Sequence, residues 1–99
     1  MDEERQAGII DQILYERSMQ DEKWGEQNHN PVEWMSILME EVGEASKEAL
    51  ENHFNPDTTN LCKYRHEMIQ VAAVALSMIE CLDRDNYRKL TKFLEEPKP

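Results

Sequence analysis

Residues 30–52 read NPVEWMSILMEEVGEASKEALEN, and this stretch decides the fold. Asn30 suits a helix N-cap and Pro31 suits the first helical position. Glu33 stands where a capping-box acid reaches back to the cap. From there Met35, Leu38, Val42, Ala45 and Ala49 recur in alternating steps of three and four, the apolar seam of an amphipathic helix. The spacing predicts a helix from Pro31 to about residue 52. With Leu38 taken as zero and about 100° per residue, Glu41 lies about 60° away, at the edge of the seam. Glu44 falls about 60° beyond it and Glu40 about 40° further. Glu41 and Glu44 are an i, i+3 pair whose carboxylates can converge, and Glu40 is the most solvent-facing of the three.

Working outward, Ile9, Ile10, Ile13 and Leu14 mark a first helix over about 3–21, followed by a polar stretch that contains Lys23-Trp24-Gly25. Asn55-Pro56-Asp57 marks a turn. A third helix is predicted from about Leu61 to Asp83, and its middle is apolar almost all round. That pattern belongs to a helix buried on every side, which a chain of three helices can hardly enclose alone. The expected architecture is therefore all-α: three long helices and a candidate short last helix over Asp85 to Glu96. Oligomerisation, as a homodimer or homotetramer, would complete a larger bundle. Residues 1–96 form a single domain and 97–99 a frayed tail.

The composition narrows the function classes. The chain has 99 residues and a net charge of −10, with 39% hydrophobic and 32% charged residues. No Lys/Arg cluster offers the basic face that nucleic acid or an anionic membrane surface needs. An anionic ligand would need a metal ion as intermediary. The start, Met1-Asp2-Glu3-Glu4-Arg5, is acidic and is not read as a signal peptide. The apolar run from Met68 to Leu82 covers 15 residues, short of the roughly 20 that span a bilayer. Cys62 and Cys81 share one predicted helix, roughly 28 Å apart along it, too far for a disulfide. Two free thiols fit a reducing, cytoplasmic setting.

Three acids within two turns cost helix stability. Lys47 offsets part of that cost, and a divalent cation would offset more. Mg²⁺ favours a few carboxylates together with waters and substrate phosphates. Glu67 opens the apolar run of the third helix, with Gln70 one turn on. An antiparallel pairing would bring Glu67 to Glu41 and Glu44. The plain alternative for each acid is a solvated helix face.

Glu40-Glu41-x-x-Glu44, then 22 residues, then Glu67-x-x-Gln70, resembles the signature of MazG-like nucleotide pyrophosphohydrolases. So do the stretch from Glu16-Arg17 to Trp24 and His29-x-Pro31. The resemblance covers roughly residues 10 to 83. It implies hydrolysis of a nucleoside triphosphate to monophosphate and pyrophosphate with Mg²⁺, or Mn²⁺ in its place. Glu41, Glu44, Glu67 and Gln70 would be metal ligands, and Glu40 would be a catalytic base. Trp24 and Tyr15 would be base-binding aromatics, although Trp24 reads equally as a plug over the helix ends. The family has Asp where this chain has Gln70, so an aspartate there is expected to bind Mg²⁺ more tightly. Two other readings stay open: a weak or inactive nucleotide-binding homologue, and a structural helical oligomer. Trp34 and the methionines read as packing. His29 closes a single Glu26-x-x-His29 pattern and is not read as a metal site, and His66 reads as a surface residue. Arg84, Arg88 and Lys89 are the basic residues nearest the end of the third helix.

Overall fold

The computed structural model describes residues 2–95, with side chains as far as residue 85. Helix α1 spans Glu3–Trp24, α2 spans Pro31–Phe54 and α3 spans Thr58–Glu95. Each boundary has a local cause. The Asp2 carboxylate accepts from the Arg5 N–H at 3.1 Å and starts α1. Gly25, at φ 73°, stops it, a backbone conformation that costs glycine little. The capping box at α2 is complete: Glu33 N–H donates to Asn30 Oδ1 at 2.8 Å, and Asn30 N–H donates to Glu33 Oε1 at 3.0 Å. Asp57 Oδ1 takes the Thr59 N–H at 2.8 Å and starts α3.

The separate last helix expected over Asp85 to Glu96 is not a separate element. Its backbone continues α3 without a break to Glu95, a helix of 38 residues. The reason is compositional. No glycine or proline falls between Thr58 and Glu95. The polar run from Asp83 to Asn86 carries only the modest propensity penalties of ordinary residues. The tail at 97–99 lies outside the described residues.

α2 returns antiparallel along α3, with Trp34 against Cys81 at one end and Glu41 and Glu44 beside Glu67 at the other. α1 runs parallel to α3: Gln12 meets Arg65, Glu16 meets Gln70, and Arg17 meets Glu80. Among the described residues, α1 and α2 both pack on α3, and the backbones of α1 and α2 do not approach each other closely. The loop from Gly25 to Asn30 is clipped to α3 by Arg84. Its guanidinium donates to Gln27 O at 3.0 Å and Asn28 Oδ1 at 3.1 Å and pairs with Glu26 at 3.3 Å.

The buried apolar set is small: Trp34, Ala45, Ala73, Val74 and Cys81, with Ile37, Leu38 and Met78 half-buried around it. Of the predicted α2 seam, Ala45 is buried, Leu38 and Val42 are half-buried, and Met35 and Ala49 are exposed. On α1 the expected core face is largely uncovered, since Ile9, Ile10 and Leu14 are exposed and Ile13 is half-buried. The side of α1 turned to α3 is instead polar, and Gln20 is its buried residue.

Candidate metal centre

Glu41 and Glu44 project from α2, and the antiparallel α3 carries Glu67 beside them. One carboxylate oxygen from each lies within 4.8 Å of the others. Glu41 and Glu67 are half-buried and Glu44 is exposed. Both half-buried carboxyls titrate above the ordinary glutamate range. For Glu41 the first cause is burial, reinforced by the charges of Glu44, Glu67, Glu40 and Glu16. For Glu67 burial again leads, followed by the charge of Glu44; His66 pulls the other way and Glu48 adds to the rise.

These shifts fix the sign of a pH effect. Between the ordinary glutamate value and the raised ones, the folded chain holds more protons than the unfolded chain. Its stability contribution from this site therefore falls as pH rises through that window. We expect the urea midpoint of the metal-free protein to drop as pH is raised from about 4.5 toward neutrality. Glu67→Gln should flatten that drop. An equal slope in the variant would show that the strain lies elsewhere.

The three glutamates share a cleft of about 680 Å³ with Tyr15, Trp24 and Gln70. Tyr15 and Trp24 are exposed at 67% and 56%, so neither is a core residue. Lys23 lies over the Trp24 ring, 4.8 Å from its centroid. Gln70 lines the cleft but its amide is engaged on α1. Its Nε2 donates to Glu16 Oε1 at 2.5 Å, and its Oε1 accepts from Gln20 Nε2 at 3.4 Å. Glu40 is exposed and outside the triad. Together with Glu41 it borders a second cavity of about 320 Å³ between the helices.

His29 packs edge-on against Trp34, with ring centroids 4.8 Å apart, and Trp34 is core. Arg84 is committed to the 25–30 loop, and the side chains of Arg88 and Lys89 lie outside the described residues. Lys23 is the cation bordering the cleft, with the His66 imidazole beside it. Sequence reasoning passed over Glu16 and Gln20 as cleft residues. The available signal was the i, i+4 series Gln12, Glu16, Gln20 and Trp24, a polar stripe on one face of α1.

Comparison of the chain with known protein families, characterised proteins and solved structures finds no match in any of the three.

The donor set suits a hard divalent cation. Three carboxylates from two helices converge, two of them titrate high because of burial reinforced by neighbouring like charges, and no Lys or Arg ion pair to any of the three exists among the described residues. A Mg²⁺ ion takes few carboxylates and keeps positions for water and phosphate.

Proposed function

We propose that this chain is a MazG-like nucleotide pyrophosphohydrolase that cleaves a nucleoside triphosphate to monophosphate and pyrophosphate with Mg²⁺ or Mn²⁺. The observation that carries the reading is the three-glutamate convergence beneath a cleft rimmed by an indole and a phenol. Glu41, Glu44 and Glu67 hold the ion. When bound, the metal neutralises phosphate charge and makes hydroxide available near neutral pH. Trp24 and Tyr15 offer faces to the base, and stacking contributes about 1–3 kcal/mol per base in single-strand binders. Lys23 offers a cationic group, and His66 a ring nitrogen, for the phosphates. Glu40, exposed next to Glu41, is free to accept a proton from the attacking water. Gln70 contributes as a neutral oxygen at most.

The reading includes a homodimer or homotetramer. A compact monomer of this mass exposes roughly 5,900 Å², whereas this chain exposes 7917 Å². Its radius of gyration is 16.6 Å, against about 12.6 Å for a compact chain of this length. A partner copy would cover the bare apolar faces of α1 and α2. No described helix is long and apolar enough to cross a membrane, and the proposed setting is the cytoplasm.

The test is pyrophosphate release from a panel of canonical and modified nucleoside triphosphates, with and without Mg²⁺. Metal-dependent release is expected, and the preferred base identifies the substrate. One observation favours a second reading, a nucleotide binder with little turnover: Gln70 stands engaged on α1. Nucleotide affinity by calorimetry without release of pyrophosphate would select that reading. Absence of both would leave a structural helical oligomer.

A further inference from the structure

We propose that Gln70 is a positioning residue, the joint that sets α1 with Tyr15 and Trp24 over the three glutamates, and not their fourth ligand. Its significance for turnover rests on the cleft being the nucleotide site.

α1 is thinly attached. Its backbone comes close to α3 and not to α2 among the described residues, and the space between α1 and α2 is open as cavities. Its apolar residues Ile9, Ile10, Leu14 and Met19 are exposed, so burial of apolar surface does little to hold it. Polar links from α3 do that work. Arg65 donates to Gln12 at 2.7 Å, and Arg17 donates to Glu80 at 2.8 Å. Gln70 stands between them and uses both ends of its amide, one on Glu16 and one on Gln20.

The chemistry of the residue fits the joint. Glu16, ionised, only accepts, and it needs a donor. Gln20 is 9% exposed and donates, so it needs an acceptor. An amide supplies both at once. An aspartate would set a carboxylate against Glu16 and lose the donor. The bond to Glu16 is charge-assisted and is among the stronger polar contacts available. Along α1 the joint sits one residue from Tyr15 and one turn before Trp24, so its loss reaches both walls of the cleft. Its expected effect on the 680 Å³ cleft is a loosened rim, with the glutamates on α2 and α3 left in place.

The test compares amide hydrogen exchange in the full metal-free chain, Gln70→Leu, and the polarity-swapped pair Glu16→Gln/Gln70→Glu. In the swapped pair the amide at 16 donates to the new carboxylate at 70, and Gln20 still finds its acceptor. Gln70→Leu should speed exchange over residues 16–24 by about tenfold, the scale of one hydrogen bond to a charged group. Exchange over 31–54 should not change, and the swapped pair should return 16–24 to the parent rate. Unchanged exchange in Gln70→Leu would overturn the proposal, and so would a swapped pair that exchanges as fast as Gln70→Leu. Calorimetry with MgCl₂ alone gives a second arm. If position 70 were a ligand, its new carboxylate would bind Mg²⁺ more tightly than the parent, and that result also overturns the joint. A parent protein that binds no Mg²⁺ removes the functional reading instead, while the exchange comparison still decides the joint.

Discussion

On the proposed function, Glu44→Gln and Glu41→Gln should each lower Mg²⁺-dependent pyrophosphate release by roughly a hundred- to a thousandfold, the scale seen when one preorganised electrostatic group is removed from an active site. The metal-free fold should survive both changes. Glutamine is nearly isosteric with glutamate, and Glu44 is exposed, so no core contact is lost. The charge environment makes the apo variants at least as stable as the parent. Glu44 is the leading neighbouring charge raising both Glu41 and Glu67, so its neutralisation relieves two crowded carboxyls at once. The expected pattern is thus opposite in its two readouts: turnover collapses while the apo melting temperature holds or rises. Glu51→Gln, an exposed acid further along the same helix, should change neither. Full activity in both site variants would end the metal-centre reading. A fall in apo stability together with activity would instead make the acids structural.

The triad was legible because it depends on two short-range facts, an i, i+3 pair on α2 and an acid at the edge of the apolar stretch of α3. Antiparallel return of one helix on the next then suffices to bring them within 4.8 Å. The α2 start was legible for a similar reason, since a capping box is made by residues three apart. The face of α1 was not legible. Periodicity picks out Ile9, Ile10, Ile13 and Leu14, yet Gln12, Glu16 and Gln20 meet α3, because their partners come from the far end of the chain. The pairing of Gln70 with Glu16 spans 54 positions, and no local spacing announces it. Nor did the polar run at residues 83–86 end α3, because polarity without glycine or proline marks solvent exposure as readily as a break.

Trp34→Ala should cost about 3–5 kcal/mol, the usual range for truncating a buried aromatic, and this is the largest stability effect expected of any single change here. Trp34 is 4% exposed and is the one large side chain among the buried apolar residues described; the others are Ala45, Ala73, Val74 and Cys81. It clusters with Val74 and Cys81 of α3, and Ile37, Leu38 and Met78 pack against that cluster. A domain whose whole stability is about 5–15 kcal/mol would lose a large share of it. Trp34→Phe should behave differently. The indole Nε1 is buried with no hydrogen-bond partner among the described residues, and an unmet buried donor costs about 1–3 kcal/mol. Phenylalanine gives up contact area but removes that donor, so the two effects oppose each other and the net change should stay within about 1–2 kcal/mol. Urea unfolding followed by circular dichroism measures both, at several protein concentrations because assembly would add to apparent stability. If Trp34→Phe proves as damaging as Trp34→Ala, the indole N–H has a partner, supplied by water or by a second copy of the chain. The same residue also conditions the site. Trp34 fixes α2 against α3, and on that register depends whether Glu41 and Glu44 meet Glu67. A Trp34→Ala protein that still folds should therefore lose Mg²⁺ affinity, although the substituted side chain lies two turns from the nearest glutamate of the triad.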